Sequence, residues 1–205
     1  KRDYMEIRSF GNKAAPRIVD ERTIEGYAVV FEQQSQVLYN KDKRNFFIEV
    51  IKRGAITNEL LQSSDVKALV EHDSNRLLAR SYKGKGSLQL SVDEHGVKYR
   101  FIAPNTADGD YAVEMIKRGD VFGSSFAYLT NEKENIEYSR LENGLILRKV
   151  KLIDRFFDVS PVADPAYMGT EVSVRSIKEV FPEKEDQNNE KYKEEVEQLR
   201  SLSNE

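Results

Sequence analysis

The chain contains no cysteine and only two histidines, His72 and His95. Without cysteine there can be no thiolate nucleophile, no disulfide and no cysteine metal site, so covalent catalysis would have to use another atom. Two histidines far apart in sequence are a poor basis for a zinc site, and we expect neither a metal nor another cofactor. A serine hydroxyl would need a histidine as its base, because the unperturbed pKa of histidine lies near about 6.5.

The segment GSSFAY (123–128) contains the serine best placed for such chemistry. In an extended strand the two aromatic side chains share one face with Ser124, and Ser125 lies on the other face beside glycine and alanine. Burying the aromatic rings therefore predicts that Ser125 faces a groove with room for a substrate backbone. Serines in strands are more often ordinary polar residues, so this segment alone does not identify a nucleophile.

His72 is the better of the two candidate bases. It follows the apolar run of DVKALVEHD (65–73), which we interpret as an extended strand that carries His72 at its end on the apolar face. There the imidazole could be partly buried and oriented, as a general base requires. His95 lies in the turn-forming DEHG segment, where we expect an exposed side chain with no catalytic role. A strand-end histidine bonded only to backbone is the alternative for His72.

Asp158 is the best candidate for a third group that orients the imidazole. It is an acid inside an otherwise apolar strand, and a buried carboxylate is costly unless it has a partner. Asp73 is weaker because it would point to the opposite face of the strand from His72, and Glu71 is weaker for the same reason. Asp164 lies beside a proline and is better suited to closing that turn.

The elements that must position these side chains are mostly strands. Segments of strand composition are 4–10, 23–31, 46–51, 65–73, the hairpin 87–102, 121–129, 145–153 and 155–162. Short helices are predicted for 54–61 and for 108–117, the second ending at Gly119. This order predicts a β-rich α+β fold, built on a bent antiparallel sheet or a barrel with two or three short helices.

The chain divides into three parts by composition. Residues 1–22 are predicted to be an N-terminal extension with an edge strand, 23–178 the folded domain, and 179–205 a charged tail that is helical or disordered. With 32 basic and 35 acidic residues the net charge is only −3, which argues against nucleic acid as a partner and against a small nucleic-acid-binding barrel. No apolar run approaches the roughly 20 residues that cross a bilayer, so we expect a soluble cytosolic protein.

Six segments, taken in chain order, resemble the caudovirus prohead serine proteases, whose fold is related to that of the herpesvirus protease assemblin. They are EGYAVVF (25–31), FIEVIKRGAI (47–56), DVKALVEHD (65–73), the hairpin with DEHG, IKRGDVFGSSFAY (116–128) and DVSPVADPAY (158–167). With Arg175 shortly after, the resemblance covers about residues 4–176.

The resemblance implies roles for three residues. The family histidine, in an L-x-x-H-D pattern, corresponds to His72, and the family serine corresponds to Ser125. Family members commonly read G-M-S-F-G-F here, whereas this chain has Ser124 for methionine and Ala127 for glycine. Asp158 keeps a carboxylate in the family's E-V-S-P-V element, where the related herpesvirus enzymes carry the third member of their triad.

Oxyanion and substrate contacts are also suggested by the resemblance. The family's Gly-Arg after the histidine corresponds to Ala79-Arg80, so Arg80 would help to stabilise an oxyanion. Phe126 and Ser124, which flank the serine, are further candidates.

The implied function is that of a serine endopeptidase of a phage or prophage, acting inside the assembling procapsid in the host cytoplasm. Its partners would be the scaffold and the major capsid protein. It would cleave the scaffold or the scaffold-like arm of the capsid protein, and also itself, which would remove the charged tail. A homo-oligomer is left open, and no membrane partner is expected. The alternative is a catalytically inactive scaffold or assembly protein on the same fold.

Overall fold

Three β-sheets and three helices form in the computed structural model, which describes residues 5–11, 14–35, 37–40 and 43–165. The strands are β1 (Glu6–Phe10), β2 (Arg17–Ile18), β3 (Thr23–Val30), β4 (Leu38–Asn40), β5 (Asn45–Ile51), β6 (Asp65–Val70), β7 (Asp73–Tyr82), β8 (Lys85–Gly86), β9 (Gln89–Val92), β10 (Gly96–Ile102), β11 (Gly123–Leu129), β12 (Ile136–Arg140), β13 (Ile146–Val150) and β14 (Arg155–Val162). The helices are α1 (Asn58–Ser63), α2 (Ala107–Arg118) and α3 (Glu132–Asn135).

The largest sheet has the strand order β1-β11-β14-β6-β7-β8. Strands β11 and β14 pair antiparallel, whereas β14 and β6 run parallel. This arrangement brings three distant segments together, since GSSFAY lies on β11, DVSP on β14 and the run before His72 on β6. The candidate residues therefore meet on one sheet.

Two four-stranded sheets complete the architecture, with the orders β2-β3-β10-β9 and β12-β13-β5-β4. The predicted hairpin 87–102 is present as β9 and β10, which pair antiparallel. Within the described ranges no sheet closes on itself. The β-rich α+β prediction is confirmed, in the form of separate sheets rather than a barrel.

The core centres on the aromatic face of β11. Phe126 is fully buried, and its ring stacks on three others: Phe10 at 6.2 Å, Tyr128 at 5.1 Å and Phe156 at 5.6 Å between centroids. Burying aromatic side chains supplies much of a domain's hydrophobic stabilisation, about 25 cal/mol per Å² of apolar area. One face of β11 is thereby fixed against the core, and Ser125 is held on the other.

The helix boundaries follow from local capping. Helix α2 begins after Thr106, whose side chain accepts a hydrogen bond from the Gly109 amide, and ends at Gly119 with φ of 80°. A left-handed residue at this place favours glycine, as the sequence predicts. Helix α1 begins later than the predicted 54–61, because Thr57 is its N-cap.

The predicted charged tail, 179–205, and Arg175 lie outside the described residues. None of the helices in the described ranges is long and apolar enough to cross a membrane.

Candidate active site

Ser125 lies on β11, the second strand of the large sheet, between two other serines. In the strand register it faces Ser9 of β1 on one side and Ser160 of β14 on the other. Its Oγ atom lies 2.5 Å from Nε2 of His72. The serine and histidine predicted from the sequence are thus within hydrogen-bonding distance.

His72 is not on a strand, and here the sequence-based interpretation is wrong. Strand β6 ends at Val70, and Glu71 and His72 form a two-residue turn before β7, with φ of 52° and 60°. Left-handed backbone costs about 1–2 kcal/mol for a residue that is not glycine, so the surroundings must hold it there. The period-2 argument that put His72 on the apolar face fails because both residues leave the extended conformation.

Hydrogen bonds to the end of β14 hold this turn. The backbone amide of His72 donates to the Ser160 hydroxyl at 3.2 Å, and the Glu71 amide donates to the carbonyl of Pro161 at 3.4 Å. The Glu71 carboxylate accepts a hydrogen bond from the Ala163 amide at 2.6 Å. Glu71 thus anchors the turn rather than orienting the imidazole.

The buried carboxylate of Asp158 faces the other ring nitrogen of the histidine. Its Oδ1 lies 2.6 Å from His72 Nδ1, and only 7% of the residue is exposed. A carboxylate is acceptor-only, so Nδ1 carries the proton of this bond. When the ring carries a single proton, Nε2 is then the unprotonated nitrogen, and it points at the Ser125 hydroxyl.

Ser160 is a site residue that sequence reasoning missed. Its fully buried hydroxyl lies 3.2 Å from Asp158 Oδ1 and 3.4 Å from His72 Nδ1. The hydroxyl donates to the carboxylate and accepts from the His72 amide, so it fixes both partners. A signal was available, because residues two apart on a strand share a face and Ser160 follows Asp158 by two.

Ser125 does not line an open groove as predicted, because it is buried beside strand β1, its neighbour in the sheet. The residue is fully buried. The Ser9 hydroxyl and the Arg8 carbonyl each lie 2.9 Å from its Oγ. The face argument was correct for the direction of the side chain, but it could not predict that β1, a strand distant in sequence, lies beside β11.

Ser124 lies on the opposite face from His72. Its fully buried hydroxyl donates to the Ala14 carbonyl at 2.7 Å and lies 2.8 Å from the hydroxyl of Tyr99. Burial raises the pKa of Tyr99 far above its ordinary value, so this hydroxyl stays protonated. The structure therefore separates Ser124 from the histidine. The substrate contact that the sequence predicted for Ser124 has no support in this position.

The two other candidates for oxyanion contacts are also placed by the structure. The Arg80 guanidinium pairs with Asp65 through two hydrogen bonds of 2.7 Å in an exposed position on β7, away from Ser125. The side chain of Phe126 belongs to the core, so only its backbone N–H could contribute to an oxyanion site. Arg80 is thus engaged in a surface ion pair.

The remaining candidates lie outside the cluster. His95 packs edge-on against Tyr27, with ring centroids 4.6 Å apart. Asp73 accepts hydrogen bonds from Asn75 at 2.9 and 3.1 Å and so stabilises its own turn. In the part of the chain that the structure describes, no group of three or more histidine, aspartate or glutamate side chains is placed to hold a metal ion.

The family model described as caudovirus prohead serine protease matches residues 12–185. The chain belongs to this family. No curated protein matches this member of the prohead protease family. Among solved structures it is similar to the bacteriophage T4 capsid assembly protease gp21, which is 12% identical, with a TM-score of 0.39. That likeness covers 77% of this chain and 99% of the other.

The hydrogen-bonded chain Asp158, His72, Ser125 in this prohead protease family member has the connectivity of a serine-hydrolase triad. A carboxylate on one ring nitrogen and a hydroxyl on the other is the arrangement in which an imidazole can accept the hydroxyl proton. The buried carboxylate would stabilise the imidazolium that forms. The arrangement is suited to acyl transfer.

Proposed function

We propose that the chain is a serine endopeptidase that acts in procapsid maturation, with Ser125 as nucleophile and His72 as general base. The observation that carries the proposal is the 2.5 Å approach of His72 Nε2 to Ser125 Oγ, with Asp158 2.6 Å from Nδ1. Membership in the prohead serine protease family supports the same chemistry independently.

The reaction proceeds by acyl transfer. His72 takes the Ser125 proton as Oγ attacks the scissile carbonyl carbon, and backbone N–H groups beside Ser125, that of Phe126 among them, stabilise the oxyanion. The imidazolium gives its proton to the leaving amine. A water molecule, deprotonated by His72, then releases the acyl group and restores the serine.

The substrates that fit this family are the scaffold protein and the scaffold-like arm of the major capsid protein, with the chain's own tail as a further target. Cleavage would take place inside the assembling procapsid in the host cytoplasm. The rival proposal, an inactive assembly protein on the same fold, provides no reason for a buried aspartate, a strained histidine and a serine to be joined by hydrogen bonds.

The test is cleavage of the cognate scaffold and major capsid proteins by the purified chain. Ser125→Ala should lower the rate by about 10⁴-fold or more while the fold is retained, since removal of a triad member leaves only weak residual catalysis. Ser124→Ala is the matched control, because it removes the neighbouring hydroxyl on the other face. Full activity in Ser125→Ala, or equal losses in both variants, would end the proposal.

A further inference from the structure

The turn that carries His72 is held to β14 by three hydrogen bonds of unequal strength. Glu71 and His72 both have left-handed backbone, with φ of 52° and 60°, so the turn would relax to another shape unless its surroundings resisted. Two of the bonds are long, at 3.2 Å to the Ser160 hydroxyl and 3.4 Å to the Pro161 carbonyl. The third is 2.6 Å long and charge-assisted, because the Ala163 amide donates to the Glu71 carboxylate. Glu71 therefore provides the strongest of these three restraints.

The partner of Glu71 belongs to a short segment, residues 163–165, that also packs against the strand of the nucleophile. Pro165 is buried, and a Cβ built on Gly123 would lie 2.5 Å from the Cβ of this proline. A glycine in a strand permits such a close approach. Residues two apart on a strand share a face, so Pro165 lies on the side of β11 to which Ser125 points. Segment 163–165 thus bridges the histidine turn and β11.

This restraint matters most while the serine is acylated. In the resting site His72 is also bonded to the Ser125 hydroxyl, at 2.5 Å. Once Ser125 carries the acyl group it has no proton to donate, so this bond is lost while the imidazole must still activate water. The ring is then held by Asp158 and by its own backbone turn. A displacement of about 1 Å can slow a reaction by about 100-fold, so the position of the turn controls the rate.

We propose that Glu71 is a positioning residue for the general base, and that segment 163–165 is the clamp through which it acts. The Glu71 carboxylate is bonded to the Ala163 amide rather than to the imidazole, so it acts through the backbone of the turn. Pro165 ties the same segment to β11. The proposal rests on the peptidase function proposed above, and it adds a residue that controls kcat without touching the substrate.

The first experiment measures kcat and KM for cleavage of the cognate major capsid protein. Glu71→Ala should lower kcat by about tenfold or more and change KM by less than about twofold, because the alignment of the base is lost and the substrate contacts are not. Glu71→Gln should recover most of the loss, since its amide oxygen can still accept the hydrogen bond from Ala163. If circular dichroism shows that Glu71→Ala has lost its fold, Glu71→Asp, with a side chain too short for this bond, replaces it.

Glu32→Ala is the matched control. Glu32 is also left-handed, with φ of 58°, and its carboxylate also accepts a backbone hydrogen bond, from the Arg53 amide at 3.0 Å. It lies in the turn after β3, which carries no member of the triad. Its substitution should leave kcat within about twofold, as surface substitutions usually do.

The second experiment tests the clamp with a double-mutant cycle. Pro165→Ala removes the ring that packs on Gly123 and should also lower kcat. If both residues act through one segment, Glu71→Ala combined with Pro165→Ala should cost little more than the larger single loss, because substitutions that share a network are not additive. An unchanged kcat in Pro165→Ala, or losses that multiply in full, would overturn the clamp.

Hydrogen exchange separates this proposal from the peptidase proposal. Exchange at the His72 amide, whose own acceptor Ser160 is untouched, should become about tenfold faster or more in Glu71→Ala and stay unchanged in Glu32→Ala. If the unchanged chain cleaves nothing, the peptidase proposal fails, and the exchange rate alone decides whether Glu71 holds the turn. If the unchanged chain is active and Glu71→Ala equals it in kcat, or Glu71→Gln is no better than Glu71→Ala, the positioning role is overturned and the peptidase proposal stands.

Discussion

The carboxylate of Asp158 lies 2.6 Å from Nδ1 of His72, and the two residues are 86 positions apart in the chain. Their contact depends on the parallel pairing of β14 with β6, which places Asp158 beside Lys67 and the following turn within reach. Because the carboxylate accepts a hydrogen bond from Nδ1–H, the ring is held in the tautomer whose free nitrogen faces Ser125.

Asp158→Asn should therefore lower kcat by roughly 10³- to 10⁴-fold without a comparable change in stability, because an amide can favour the wrong imidazole tautomer. Steady-state cleavage of a peptide or capsid-protein substrate measures the effect. Asp164→Asn, the same change at an exposed position six residues later, should leave kcat unchanged. Unchanged turnover in Asp158→Asn would remove Asp158 from the site.

The two histidines should behave differently. His72→Ala should reduce the cleavage rate by about 10⁴-fold or more, because it removes the base that takes the Ser125 proton. His95→Ala should alter only the packing of Tyr27 on the surface and leave the rate within about twofold, as surface substitutions usually do. The comparison uses one substrate and one pH, with circular dichroism to establish that both variants are folded. Equal loss in the two would argue against a role for His72.

Ser160→Ala tests a positioning role. The hydroxyl donates to Asp158 and accepts from the His72 amide. Its loss therefore leaves the His72 amide without this acceptor and removes one hydrogen bond from the Asp158 carboxylate. We expect kcat to fall by about tenfold while KM stays nearly constant, since substrate contacts are unaffected and only the alignment of the imidazole suffers. A rise in KM with unchanged kcat would instead place Ser160 at the substrate.

Much of this site could be predicted from local patterns. An acid inside an apolar strand pointed to Asp158, and strand alternation gave the correct direction of Ser125. The same pattern, a charged residue within an apolar strand, occurs at Glu49 of β5 and Arg148 of β13, and these two residues form a buried ion pair.

The rest depended on contacts that sequence patterns do not encode. Ser9 and Ser125 are 116 positions apart, and nothing local to either predicts that β1 lies against β11. The left-handed conformation of Glu71 and His72 also lacked a signal, because glycine or asparagine normally marks such turns. Long-range hydrogen bonds to β14 hold this conformation, so it could not be derived from residues 65–73 alone.

Glu49→Gln should change how stability depends on pH. The pKa of Glu49 in the folded protein is below its ordinary value, because Arg8 and Arg148 outweigh the effect of burial. A lowered pKa means that the carboxylate stabilises the fold above its unfolded pKa of about 4.3 and loses this contribution as the pH falls through the folded value. At neutral pH the variant should be less stable by several kcal/mol, on the order of 3–5, as for other broken buried ion pairs.

Urea unfolding between pH 3 and pH 7, about the range in which carboxylates titrate, measures this difference. The free energies of unfolding of the unchanged chain and Glu49→Gln should converge toward the acid end, because protonation removes the same charge that the substitution removes. Glu137→Gln, which breaks an exposed pair with Lys149, is the control and should lie close to the unchanged chain throughout. A constant difference between Glu49→Gln and the unchanged chain at every pH would show that the ionised carboxylate does not provide the stabilisation.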